Sequence, residues 1–219
     1  MQNGIILIDK PAGMTSFGVV ARLRRCLSEE AGKRVKIGHT GTLDPFATGL
    51  MIIVVGKQTK NAEYYSKLDK VYEATIRLGK TSSTGDPEGE IINGTSRQPP
   101  REEIEEVLKV FTGEIEQRPP IYSAIKINGQ RAYKLARKGE TLEIPLRNIT
   151  IYSLELLDYS YPYLTIRAHV SSGTYIRTLA EDIGKKLGTG AYCQELRRIS
   201  ISRWLVDEAK LLQDFGVTD

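Results

Sequence analysis

Residues 36–50, K-I-G-H-T-G-T-L-D-P-F-A-T-G-L, run directly into the apolar stretch Leu50-Met51-Ile52-Ile53-Val54-Val55. That junction restricts the chain to folds in which a polar, glycine-punctuated loop ends on a buried strand. Pro45 fixes its own φ and pushes Asp44 toward an extended backbone. Gly38, Gly41 and Gly49 permit tight turns and close approach of backbone to a ligand. Asp44 and His39 therefore sit on a loop anchored at one end by a rigid element, the setting in which catalytic groups concentrate. Taken alone, an Asp-Pro pair is equally a structural turn whose carboxylate bonds nearby N–H groups.

The rest of the chain mixes both periodicities without strict strand–helix alternation, which predicts an α+β protein with a mixed sheet. Gly4–Asp9 reads as a strand followed by a Pro-Ala-Gly turn. Thr15 or Ser16 can cap a helix through about Cys26, with Val19, Val20 and Leu23 inward and Arg22, Arg24 and Arg25 outward. Tyr72, Ala74, Ile76 and Leu78 alternate with Glu73, Thr75 and Arg77, a half-buried strand that points Tyr72 inward. Residues 81–100 read as a turn-laden surface loop. Ile104, Val107, Leu108 and Phe111 fall at helical spacing behind a run of acids. Leu164, Ile166, Ala168 and Val170 predict another strand. Thr174 is placed to cap a helix with Leu179, Ile183 and Leu187 on one stripe. A single domain over 1–219 is expected, since 219 residues are ample for one core.

Charge is informative in its distribution. The net charge is only +4, but 86–116 carries nine acids against three bases, and 126–147 six bases against two acids. Arg177, Lys185, Lys186, Arg197, Arg198 and Arg203 form a second basic stretch. Folded together, the two could make a phosphate-binding face. No run approaches the roughly 18 apolar residues of a membrane-spanning helix. The N-terminus lacks the pattern of a signal peptide. Two distant cysteines, Cys26 and Cys193, suit reduced thiols. The two histidines and two cysteines give no metal-ligand spacing, and neither phosphate-loop nor dinucleotide fingerprint is present. A cytoplasmic protein without cofactor or metal is expected.

The string from Gly38 to Gly49 resembles the signature G-H-x-G-T-L-D-P-x-A-T-G of the TruB family of tRNA pseudouridine synthases, with every fixed position present. Further blocks resemble the family in order: G-I-I-L-I-D-K-P-A-G-M-T-S at 4–16, K-V-Y-E-A-T-I-R-L-G at 70–79, R-P-P-I-Y-S-A-I-K-I-N-G-Q-R-A-Y-K-L-A-R-K-G at 118–139, S-S-G-T-Y-I-R-T-L-A-E-D-I-G at 171–184 and L-R-R-I-S at 196–200. The resemblance spans nearly the whole chain. It implies the pseudouridine synthase catalytic fold, a mixed β-sheet flanked by helices with a central active-site cleft. It implies isomerisation of uridine in the T-arm loop of tRNA, at position 55, by a monomer needing no obligate protein partner.

Residue by residue, the resemblance makes Asp44 the catalytic carboxylate, whether it attacks C1′, adds to the uracil ring or promotes a glycal. It makes Arg177 the guanidinium that orients Asp44, and Tyr72 the ring that stacks on the flipped uracil. His39, Tyr175 and Leu196 are implied contacts of the target base. Lys10 and Lys126 are assigned to substrate binding, Lys126 as a phosphate contact. By residue type alone, Leu196 and Tyr72 are equally core residues. Two departures stand out. Relatives usually continue into a C-terminal PUA domain, which this chain is expected to lack, and Trp204 replaces a common Phe. Two other readings are a non-catalytic RNA-binding protein of the same fold, and a nucleotidyltransferase-like loop at K-I-G-H-T-G. Asp44, Tyr72 and Arg177 together argue against the first, and the lack of an accompanying second His or basic signature against the second.

Overall fold

The computed structural model describes residues 3–123, 125–127, 130, 131 and 144–217. The elements, in order, are β1 (Gly4–Lys10), α1 (Ser16–Ala31), β2 (Ile37–His39), β3 (Thr48–Val55), a 3-10 turn (Gly56–Asn61) and α2 (Ala62–Ser66). There follow β4 (Lys70–Leu78), β5 (Lys80–Ser82), β6 (Ile91–Asn93), α3 (Arg101–Val110), β7 (Gly113–Gln117), β8 (Lys126–Ile127) and β9 (Gln130–Arg131). Then come β10 (Arg147–Ser160), β11 (Tyr163–Val170), α4 (Ile176–Lys186), β12 (Ala191–Ile201) and β13 (Trp204–Leu205), and 3-10 turns at Val206–Glu208 and Leu212–Phe215 close the series. Helices flank a sheet that mixes parallel and antiparallel pairs, as expected. The chain divides into two compact units, Met1–Tyr72 with Arg197–Asp219, and Glu73–Leu196. Strands β4 and β12 each run from one unit into the other.

In the first unit β3 is the central strand. It pairs antiparallel with β1 from Gly4↔Val55 to Lys10↔Gly49, antiparallel with β2 through Gly38↔Val54, and parallel with β12 at Arg197↔Thr48 and Arg198↔Gly49. Its residues are buried on both faces. Met51, Ile53 and Val55 join Ile6 and Ile8 of β1 and Val19, Val20, Leu23 and Leu27 of α1. Leu50 and Ile52 pack on the other face with Ile201 and Val206, and Trp204 lies against that cluster. Helix α1 begins where Thr15 Oγ1 accepts from Gly18 N at 3.0 Å. It runs five residues past Cys26, because Leu27 extends the apolar stripe and the chain turns left-handed only at Gly32, φ 61°.

In the second unit β10 lies between β7 and β11, β11 borders β4, and β4 borders β12. Burial along β4 alternates strictly, with Lys70, Tyr72, Ala74, Ile76 and Leu78 on the covered face. Two local expectations change. Thr174 does not cap α4; its hydroxyl donates to Ser171 O at 3.0 Å, and Tyr175 takes the N-cap position without a side-chain cap. Gln117 supplies the missing order, its side chain accepting from Tyr175 N at 2.8 Å and donating to Tyr175 O at 3.0 Å. The 81–100 stretch is not uniformly a surface loop, for Asp86 within it is buried.

Candidate active site

The Asp44 loop belongs to the first unit, and its backbone is tied by polar side chains from three elements. Lys10 ends β1 on the same face as Ile6 and Ile8, so strand periodicity carries its ammonium inward, where the residue is 0% exposed. Its Nζ donates to the carbonyls of Pro11 at 2.8 Å, Met14 at 2.7 Å and Pro45 at 3.1 Å. Ser16 Oγ, at the start of α1, donates to Leu43 O and accepts from Leu43 N, both at 2.8 Å. Arg198, on β12, donates through Nε to Leu50 O at 2.6 Å and through NH2 to Gly41 O at 3.4 Å. Gly13 N donates to Pro45 O at 2.8 Å, and Ala47 N closes a turn onto Asp44 O at 3.2 Å. The ties to Gly41, Leu43 and Pro45 end on backbone within three residues of Asp44, itself partly exposed.

Gly49 is required by the same construction. Its φ is +105°, and a Cβ there would lie 2.4 Å from Arg198 O across the parallel pair. Deep burial, then the nearby Arg198 guanidinium, pushes the Lys70 ammonium down to about 8. Lys70 Nζ donates to the carbonyls of Ser66 and Leu68. Two positions along the same strand, Tyr72 is 8% exposed. His39 lies at the end of β2, partly exposed.

The second unit holds Arg177, Tyr175 and Leu196. Arg177, in the first turn of α4, is 4% exposed. Its NH1 donates to Thr84 O at 2.8 Å and pairs with Asp86 Oδ2 at 3.2 Å, while NH2 donates to Tyr122 O at 3.0 Å. Asp86 is equally buried and is braced by Thr84 Oγ1 at 2.6 Å and Glu88 N at 3.0 Å. A planar guanidinium suits this arrangement because its two terminal nitrogens reach a carboxylate and carbonyls at once. Leu196 is buried at 7% exposure.

Several expectations are revised by this placement. Lys10, assigned to substrate binding, has no exposed surface and spends its ammonium on the carbonyls of Pro11, Met14 and Pro45. The C-terminal basic stretch does not form a uniform basic surface. Arg177 and Arg198 are buried, and Arg197 is paired bidentately with Asp9 at 3.0 and 2.6 Å. The Lys126 side chain and the basic residues of 132–143 lie outside the described residues. The sequence reading missed Asp86, Gln117, Ser16 and Arg198. Strand alternation through β1 would have found the burial of Lys10, whereas Asp86 carries no local signal.

A pocket of about 530 Å³ in the first unit is lined by residues that include Asp9, Thr48, Arg197, Leu211 and Leu212; neither Asp44 nor Tyr72 lines it. Among the described residues, no group of three or more His, Cys, Asp or Glu could hold a metal ion, and no helix is long and apolar enough to cross a membrane. Neither Cys26 nor Cys193 is joined in a disulfide.

Comparison with known proteins bears on this arrangement directly. Residues 24–176 match the model of the TruB family pseudouridylate synthase N-terminal domain, and 177–215 that of the tRNA pseudouridylate synthase B C-terminal domain. The chain is 44% identical to tRNA pseudouridine synthase B of Clostridium kluyveri over 96% of its own length and 71% of that protein. It is 45% identical to the Aquifex aeolicus protein of the same name, over 97% of its length and 73% of that protein. Among solved structures, a chain of a Cbf5-Nop10-Gar1 complex superposes with a TM-score of 0.75 at 33% identity, covering 97% of this chain and 53% of that one. With a family model matching well over half its length, an Asp44 loop tied at every turn and Arg177 locked on α4, this chain belongs to the TruB family of pseudouridine synthases.

Proposed function

We propose that the chain isomerises uridine to pseudouridine in the T-arm loop of tRNA, at position 55, acting as a cytoplasmic monomer without cofactor or metal. The observation that carries this reading is the Asp44 loop. A carboxylate meant to react must be held within a fraction of an ångström, and the side chains of Lys10, Ser16 and Arg198 tie the backbone on which Asp44 stands. The tRNA substrate is supported by the names of the relatives from Clostridium kluyveri and Aquifex aeolicus.

The reaction breaks the C1′–N1 bond of uridine, turns the uracil and forms a C1′–C5 bond; the C5 proton leaves and N1 gains one. No atom is oxidised and no water is consumed. Asp44 is the proposed nucleophile or base, acting at C1′, at the ring or through a glycal. Arg177 is the proposed partner that keeps Asp44 ionised and oriented. The target base must leave its stack to be reached. Tyr72 is proposed to stack on the flipped uracil and to share in moving the C5 proton. His39, Tyr175 and Leu196 are proposed to line the base, and Lys126 to meet phosphate. Lys10 is proposed to act through the loop it holds.

The test is incubation of a T-arm stem-loop RNA with the purified chain, followed by nucleoside analysis. Pseudouridine at position 55 and nowhere else is the expected result. Conversion at another uridine, or none in either the stem-loop or full-length tRNA, overturns the assignment. Activity is expected to survive exhaustive EDTA treatment once RNA folding is controlled for.

A further inference from the structure

Helix α4 carries an acid, Glu181, whose place no part of the reaction above explains. Glu181 follows Arg177 by four residues, so both lie on one helical face. Its carboxyl rests against the turn that presents Asp86. A Cβ built on Gly85 would lie 2.5 Å from Glu181 Oε1 and 3.4 Å from Arg177 Cβ, and Gly85 has φ +74°. That turn is pinned from the other side by Gly85 O, which accepts from Cys193 N at 3.0 Å. Arg177 meanwhile bonds Thr84 O and Asp86 within the same turn. Thr84, Gly85 and Asp86 are thus seated on two side chains of one helix, a guanidinium and a carboxyl.

The charged groups acting on Glu181 are Asp182 and Arg177 from its own helix and Asp86 from the turn packed against it. Burial is the largest influence and Asp182 the next; both push the Glu181 carboxyl up, Arg177 pulls it down, and the outcome is about 7. Asp86 already pairs with the guanidinium at close range. A second ionised carboxylate beside it would compete for the same charge in a poorly solvated place.

We propose that Glu181 is a positioning residue for the isomerase: seated against Gly85 one helical turn from Arg177, it sets how the Arg177 guanidinium is shared with Asp86, its own carboxyl being the competing partner. The proposal rests on the reading of Arg177 as an orienting group. Glu181 itself touches neither substrate nor reacting atoms.

The test has two arms. In the first, single-turnover rates at saturating stem-loop RNA are measured from pH 5.5 to 8.5. The wild type is expected to lose rate as pH rises through about 7, while Glu181→Gln, neutral throughout, holds its pH 6 rate and is at least threefold faster than wild type at pH 8.5. RNA affinity should be unchanged. Asp182→Asn, which keeps Glu181 but removes the neighbouring negative charge, should move the wild-type fall to lower pH. Superimposable profiles for wild type and Glu181→Gln, or a pH-independent loss in the latter, overturn the proposal. The second arm needs no catalysis. Carboxyl-carbon NMR titration should give Glu181 a midpoint well above ordinary glutamate, lowered in Asp86→Asn. An ordinary midpoint, insensitive to Asp86, refutes the inference whatever the chain's substrate. A raised, coupled midpoint in a chain that makes no pseudouridine would instead place the failure with the isomerase reading.

Discussion

The Asp44 loop and the Arg177 turn are held by different physics. Around Asp44, charged side chains spend their donors on neutral backbone: Lys10 on three carbonyls, Arg198 on two. Such ties fix the path of the loop without directly consuming the carboxylate it carries. Around Arg177 a buried ion pair does the holding, with Asp86 3.2 Å away and both side chains nearly sealed from water. Removing a loop tie costs a hydrogen bond, whereas removing one member of the ion pair strands a charge. The loop should therefore lose activity through chemistry, and the turn through stability.

Asp44→Asn puts the sharpest strain on that comparison. Pseudouridine formation should fall by at least about 10⁴-fold, roughly 5.4 kcal/mol of barrier, with Tm close to wild type; measurable turnover at a tenth of the wild-type rate would break it. Asp86→Ala should do the reverse, destabilising the chain by about 3–5 kcal/mol in denaturant unfolding because Arg177 is left buried without its carboxylate. If its stability stays within about 1 kcal/mol of wild type, the contrast fails on the Arg177 side. Ser16→Ala, which removes both bonds to Leu43, should cost about 1–3 kcal/mol of stability and slow catalysis through a loosened loop. A stability loss without any change in single-turnover rate would mean that loop order and chemistry are uncoupled.

Arg177→Lys sharpens the comparison at a smaller scale. Lysine keeps the charge but cannot reach Thr84 O, Asp86 and Tyr122 O with one planar fork, so the rate at saturating RNA should drop at least about tenfold, near 1.4 kcal/mol. An unchanged rate would leave Arg177 a purely structural residue. The smallest effect concerns Glu181. Its carboxyl stands at about 7 when folded, against 4.5 in the ordinary case, so the unfolded chain releases its proton first as pH rises. The folded state then loses stability between those two values, and none of that loss applies to glutamine. Glu181→Gln should accordingly show a higher Tm relative to wild type at pH 8 than at pH 4, and an equal difference at both would place the ordinary carboxyl value in the folded state.

How much of this was legible depends on distance along the chain. The loop reads well locally: Asp44-Pro45, the glycines and the apolar run of β3 are adjacent, and each shapes the backbone of its neighbours. The inward face of β4, with Tyr72 among Ala74, Ile76 and Leu78, follows from alternation alone. The Asp86–Arg177 pair does not, because 91 residues separate its members and no short-range pattern marks Asp86 among the acids of 86–116. Thr174 shows the complementary error. A good capping residue stood in the right place, yet Gln117, 58 residues from Tyr175, took over the backbone at the start of the helix.

The sequence by itself determined strands β1, β3, β4 and β11, helices α1, α3 and α4 to within a few residues and, through ordered motifs, the family. Those properties depend on steric limits and hydrophobic periodicity that act over a few residues. Only the tertiary structure decided which charges are buried and what they bind. Lys10, Arg177 and Arg198 look on paper like surface cations, and each is drawn inside because folding brings carbonyls or a carboxylate from distant segments to satisfy it. A buried charge is tolerable only where such groups converge, and convergence is a property of the packed chain.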